Sequence, residues 1–221
     1  IGVLNLLEAI RFTGGKIRFY NAGSSEVFGD TNGVSANEDT PFHPQSPYAV
    51  AKASAHWLVA NYRQAYNLFC CTGILFNHES PLRPKRFVTR KIISTACKIA
   101  EGTEDKLELG NISIARDWGW APEYVEAMWL MLQRSTPADF VVATGRTRKL
   151  EDFISLAFSG VGLDWRDHVT TDSSLLRPLD IVEGLADPAQ AQKELGWKAK
   201  FGLEEIVKMM IDAELNNHES L

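Results

Sequence analysis

Tyr48-x-x-x-Lys52, preceded by Ser24-x-Glu26, places a phenol, an amine, a hydroxyl and a carboxylate within residues 24–52. Such a set can draw a proton from a sugar hydroxyl while a nicotinamide takes the hydride. The carboxylate is the unusual member. Simple alcohol oxidation does not need Glu26 beside Ser24, whereas removal of a carbon-bound proton does.

The helix expected over residues 47–67 would position two of these groups. Ser46 is a suitable N-cap and Pro47 a suitable first helical residue. Tyr48 then lies in the first turn, and Lys52 follows at i+4 on the same side. The positive helix end and the lysine both favour the phenolate, as a general base requires. Ser24 and Glu26 follow an expected buried strand, Lys16–Asn21, and Asn77 and His78 follow another, Phe69–Leu75. In open α/β sheets, ligands sit beyond the carboxyl ends of the strands. The two strand ends and the intervening helix therefore predict one shared crevice.

Helices are further expected over 1–12, 89–101, 122–134, 149–158, 188–195 and 203–215, with short strands at 106–109, 140–143 and 165–170. Residues 30–46 and 77–85 read as loops. This alternation of strand and helix predicts an α/β fold with a parallel sheet. Trp57, Trp129 and Trp197 lie at helical or post-helical positions and are expected in the core, as is Trp118.

Composition narrows the function classes. A net charge of −5 over 221 residues argues against nucleic acid as the main partner. No run of about 18 apolar residues suggests a membrane span. Cys70, Cys71 and Cys97 make no Cys-x-x-Cys, and their odd number argues against a disulfide framework; a reducing cytoplasm is expected. Asn77-His78-Glu79-Ser80 invites a metal reading. Neighbours on a strand point opposite ways, however, and no second histidine stands at ligand spacing, so no metal site is expected.

Several segments resemble the extended short-chain dehydrogenase/reductases. Phe19-Tyr20-Asn21-Ala22-Gly23-Ser24-Ser25-Glu26-Val27-Phe28-Gly29 is similar to their catalytic segment, and Ser46-Pro47-Tyr48-Ala49-Val50-Ala51-Lys52 continues it. Ile74-Leu75-Phe76-Asn77-His78-Glu79-Ser80-Pro81 and Phe87-Val88-Thr89-Arg90-Lys91 narrow the resemblance to one family, the GDP-mannose 4,6-dehydratases. Arg116-Asp117-Trp118-Gly119, Tyr124-Val125-Glu126-Ala127-Met128-Trp129 and Glu194-Leu195-Gly196-Trp197-Lys198 agree with it. The likeness is weakest around 135–175.

The resemblance implies dehydration of GDP-mannose to GDP-4-keto-6-deoxy-mannose with NADP as cofactor. It implies that Ser24, Glu26, Tyr48 and Lys52 are catalytic. Tyr48, Lys52, His78 and Arg83 would then face NADP, and Asn77, Lys91, Arg116 and Arg177 the sugar nucleotide. It also implies a homodimer or homotetramer. Residues 1–76 would be the C-terminal portion of the NADP-binding domain. Residues 77–221 would be mostly a substrate-binding subdomain, with some segments returning to the Rossmann-like sheet. Three positions depart from the family: Ser24 where threonine is usual, Leu82 in place of a second arginine, and Trp120 in place of a histidine.

The chain opens with Ile1 inside an expected helix, and Gly-x-x-Gly-x-x-Gly occurs nowhere in it. The dinucleotide fingerprint belongs near the N-terminus, so about the first hundred residues are expected to be missing. Two rival readings follow: an epimerase or reductase of another nucleotide sugar, or a non-catalytic truncated paralogue that pairs with partners.

Overall fold

The computed structural model describes residues 1–14, 16–175 and 181–218, with side chains as far as 216. Arg177 therefore lies outside the described residues. In chain order, α1 (Gly2–Thr13) leads into β1 (Phe19–Ala22) and a 3-10 turn, Ser25–Phe28. Then come α2 (Pro47–Tyr66), β2 (Cys70–Leu75), β3 (Asn77–Glu79), α3 (Val88–Ala100), β4 (Leu107–Leu109), β5 (Ala115–Trp120) and α4 (Ala121–Gln133). The chain continues through β6 (Phe140–Val142), β7 (Thr147–Lys149), α5 (Leu150–Ser159), β8 (Val169–Thr171), α6 (Ala189–Leu195) and α7 (Leu203–His218).

The first sheet has the order β1-β2-β6 and is parallel throughout. Every residue of β2 is buried, as expected for a parallel strand covered on both faces. The α/β class with a parallel sheet is thus as the sequence predicts. α2 packs on β2, and α1 packs on α2 around Leu7, Val59, Tyr62 and Cys70. A second core joins α3, α5 and α7 through Ile92, Ile93, Phe153, Phe158, Ile206 and Met210.

α2 begins and ends as its residues dictate. The Ser46 hydroxyl accepts the N–H of Ala49 at 3.0 Å, and Pro47 occupies the first turn. Asn67 closes the helix in the left-handed conformation, at φ 53°.

Four expectations are corrected. Residues 77–79, read as loop, form β3. They pair with β5 at Asn77↔Trp118, His78↔Gly119 and Glu79↔Trp120. Strands β5 and β7, which pair antiparallel, were not expected from the sequence. The run Ala-Arg-Asp-Trp-Gly-Trp has no β-branched residue, and its pairing partners are distant in sequence. Buried Asp117 helps to hold this arrangement, accepting the N–H groups of Thr144 at 2.9 Å and Arg146 at 3.1 Å. The strand expected at 165–170 is a 3-10 turn, Trp165–Asp167, followed by β8. The Asp164 side chain accepts the N–H of Arg166 and starts that turn. Finally, Trp57 and Trp129 are 61% and 60% exposed rather than core. Their helices bury the opposite faces. Trp118 and Trp197 are buried as expected.

Candidate active site

Beyond the carboxyl ends of β1 and β2 opens a cleft of about 930 Å³. It brings together Ser24, Glu26, Tyr48, Asn77, His78, Arg83, Lys91 and Arg116. These residues come from five regions of the chain, and the fold alone makes them neighbours.

Ser24 and Glu26 arrive through the turn after β1. Ser24 is extended and caps that turn, its hydroxyl accepting the Glu26 N–H at 3.3 Å. Gly29 closes the turn at φ 64°. A Cβ there would stand 2.2 Å from the His43 carbonyl oxygen, so no side chain fits. The Glu26 carboxylate accepts the Ser46 hydroxyl at 3.4 Å, which links the turn to the start of α2.

Tyr48 is 52% exposed at the cleft. Lys52 lies one helical turn on, its Nζ 5.6 Å from the Tyr48 ring centroid. That ammonium donates to the Ala22 carbonyl at 2.8 Å, at the end of β1. Lys52 is therefore set back from the cleft wall and tied to the strand that leads to Ser24 and Glu26.

The opposite wall is built by β3 and the segment after it. His78 stacks on the buried Tyr124 ring, with centroids 4.7 Å apart, and its Nδ1 lies 2.9 Å from the Phe76 carbonyl oxygen. Burial holds the imidazole below its ordinary range, against the opposing effect of that carbonyl. Tyr124 in turn requires Gly119, where a Cβ would meet its ring at 2.2 Å. Arg83 donates to the His78 carbonyl at 3.1 Å and pairs with Glu79 at 3.2 Å. Glu79 is buried and also accepts the Thr89 hydroxyl at 2.8 Å. Burial pushes its carboxyl up to about 7, with Arg83 and Thr89 opposing.

Lys91 and Arg116 line the far part of the cleft. Lys91 donates to the Glu108 carbonyl at 2.7 Å, and Arg116 to its neighbour Ala115 at 2.8 Å. Two cations there suit a diphosphate. Leu82 is 92% exposed, and Trp120 is partly buried against the α3–α5–α7 core.

Sequence reasoning missed three features of this site. Ser46 was legible as a helix cap but not as a partner of Glu26. Glu79 was legible as a neighbour of His78, but its burial against Arg83 depends on β3 and α3. Arg86 also lines the cleft, and nothing in its local sequence set it apart from other surface cations. Among the described residues, no group of three or more His, Cys, Asp or Glu is placed to hold a metal ion. No described helix is long and apolar enough to cross a membrane.

The parallel sheet with a cleft at its strand ends is the arrangement of a Rossmann-like α/β fold. RMD from Pseudomonas aeruginosa, solved in complex with NADPH, superposes with a TM-score of 0.88 at 22% identity, over 98% of this chain and 71% of that one. A dTDP-glucose 4,6-dehydratase from Bacillus anthracis gives 0.87 at 21%, over 99% and 68%. Within that fold, the chain belongs to the GDP-mannose 4,6 dehydratase family, whose profile matches residues 1–210. It is 51% identical over 218 residues to GDP-mannose 4,6 dehydratase 1 of Arabidopsis thaliana, covering 97% of this chain and 60% of that protein. It is 41% identical over 249 residues to the GDP-mannose 4,6-dehydratase of Vibrio cholerae, covering 100% and 67%. The chain thus spans about 60% of the length of its Arabidopsis relative.

Proposed function

We propose that the protein to which this chain belongs dehydrates GDP-mannose to GDP-4-keto-6-deoxy-mannose. The observation that carries this reading is the convergence of Ser24, Glu26 and Tyr48 on one cleft, with Glu26 joined through Ser46 to the helix that bears Tyr48. The names of the family relatives support the substrate.

Tyr48 Oη removes the proton of the 4-hydroxyl, and the Ser24 hydroxyl holds that oxygen. Glu26 then removes the proton at C5, which the new C4 ketone makes acidic. The same carboxyl protonates the 6-hydroxyl as it leaves as water. NADP, when bound, would supply the hydride acceptor for C4 and the hydride donor for C6, and a proton delivered to C5, equal to the one Tyr48 took from the 4-hydroxyl, balances the reaction with no net oxidation.

The donor set suits such a cofactor. An ammonium, Lys52, lies against the Tyr48 ring and is fixed to the end of β1. Tyr48, Lys52, His78 and Arg83 would hold the cofactor. Asn77, Lys91, Arg116 and Arg177 would hold the sugar nucleotide. Residues 1–76 would form the C-terminal portion of the cofactor domain, and 77–221 mostly the substrate subdomain; the pairing of β6 with β2 supports a return to the first sheet. A reducing cytoplasm fits three buried free cysteines, of which burial pushes Cys70 and Cys97 up to about 11 and Cys71 up to about 12.

Incubating the full-length protein with GDP-mannose tests the reading. The expected product is lighter by one water, with no net use of NADP. A product that is only oxidised, reduced or epimerised would overturn it.

A homo-oligomer completes the proposal. Leu6, Phe12, Trp57 and Tyr66 expose apolar surface on α1 and α2, more than a helix with one buried stripe presents. We assign this surface to a two-fold dimer contact, where one substitution acts twice. Leu58 is partly buried against the α1–α2 core, so Trp57→Glu is the cleaner probe. Sedimentation of the full-length protein should show a dimer or tetramer, and Trp57→Glu should dissociate the dimer contact. A parent that sediments as a monomer at micromolar concentration sinks the idea.

A further inference from the structure

Ser46 has two roles at once. Its Oγ accepts the Ala49 N–H at 3.0 Å, which starts α2, and donates to Glu26 Oε2 at 3.4 Å. The first bond occupies a lone pair and fixes where the oxygen sits. The hydroxyl proton is then left for Glu26. Both residues line the cleft.

The other charged or titratable groups lining the cleft with this carboxylate are Tyr48 on α2, His78, Glu79, Arg83 and Arg86 on the β3 side, and Lys91, Glu108 and Arg116 across it, with Lys52 set behind Tyr48. None of them hydrogen-bonds Glu26. Lys52 is committed to Ala22, Arg83 to Glu79 and His78, and Lys91 to Glu108. Among the described residues, Ser46 is the one side chain that donates to the Glu26 carboxylate.

We propose that Ser46 is a positioning residue for the reaction: its cap geometry fixes its hydroxyl, and that hydroxyl sets the Glu26 carboxylate relative to Tyr48. This inference rests on the role given to Glu26 above. It adds that the acid–base group and the phenol are mechanically coupled through one serine, two residues before Tyr48. The coupling has a chemical reason. Glu26 must first accept a proton and then release it to the leaving oxygen. A single long hydrogen bond to a neutral hydroxyl orients the carboxyl and leaves it free to do both, whereas a close ion pair would commit its oxygens to a cation.

Three substitutions in the full-length protein separate this role from capping. Ser46→Ala removes both functions. Ser46→Asp keeps a good cap but replaces the donor with a like charge. Ser46→Thr keeps both. Ser46→Ala should lower the Tm by about 2–4 °C, while Ser46→Asp and Ser46→Thr should melt close to the parent. In single turnover with GDP-mannose, elimination should slow several-fold in Ser46→Ala and further in Ser46→Asp, while oxidation at C4 stays near the parent rate and Ser46→Thr restores elimination. Elimination rates equal to the parent in both Ser46→Ala and Ser46→Asp overturn the inference, whatever the melting temperatures show. A parent that makes no dehydrated sugar overturns instead the reading of Glu26 on which the inference rests.

Discussion

Glu26→Gln is expected to leave oxidation at C4 intact and to slow elimination by about 10²–10⁴-fold, the usual loss when a general base is removed. The amide has the shape of the acid and can still accept the Ser46 hydroxyl that reaches Glu26 at 3.4 Å. It cannot take a proton from C5. Tyr48 and Lys52 sit on α2 and are untouched by the change, so the first half-reaction should proceed. A single-turnover experiment with GDP-mannose would then show reduced cofactor persisting, with almost no loss of water. Turnover equal to the parent would remove Glu26 from the mechanism. Loss of both half-reactions together would mean that the turn after β1 had moved, and circular dichroism would expose that.

Glu214→Ala should be the most destabilising substitution outside the cleft, by about 3–5 kcal/mol. Glu214 on α7 is buried and pairs with Arg90 on α3, which is also buried, and with Lys85 at 3.1 Å. Removing the carboxylate leaves the Arg90 guanidinium buried and uncompensated, and that, rather than the lost attraction, dominates the cost. The site would feel it, because Lys91 follows Arg90 on the same helix. Burial alone would raise the Glu214 carboxyl, but Ser94, Lys85 and Arg90 bring it down to about 2. A depressed carboxyl contributes stability above its unfolded value and loses it as the pH falls. This contribution should therefore fade between pH 4.5 and about 2 in the parent and be absent from Glu214→Ala. Denaturant unfolding at neutral and acid pH measures both. A neutral-pH loss under about 1 kcal/mol would show that water reaches Arg90 and that the pair is not closed.

Much of the cleft was legible from short-range signals. Ser46, Pro47 and Asn67 fix both ends of α2, and the i+4 spacing puts Lys52 behind Tyr48, where its ammonium lies 5.6 Å from the ring centroid. The apolar run Phe69–Leu75 announced a strand, and Cys70–Leu75 is one, buried along its whole length. These features depend on residues within a turn or two of each other, so composition and spacing determine them.

What the tertiary structure decided involves partners far apart in sequence. Strand β5 exists because β3 and β7 offer it hydrogen bonds, not because Ala-Arg-Asp-Trp-Gly-Trp favours extension. Trp57 and Trp129 read as core by hydrophobicity, yet the sheet takes the opposite faces of their helices, leaving them at 61% and 60% exposure. Nothing in Pro-Leu-Arg-Pro shows that Arg83 meets the buried Glu79 carboxylate, which β3 delivers to it. Ser46 reads only as a cap until the turn after β1 brings Glu26 within 3.4 Å. The sequence by itself determined which groups could do chemistry and which local elements carry them. The packing of β1, β2 and β3 against α2 decided which of those groups meet, because burial and charge pairing are properties of surroundings that no single segment contains.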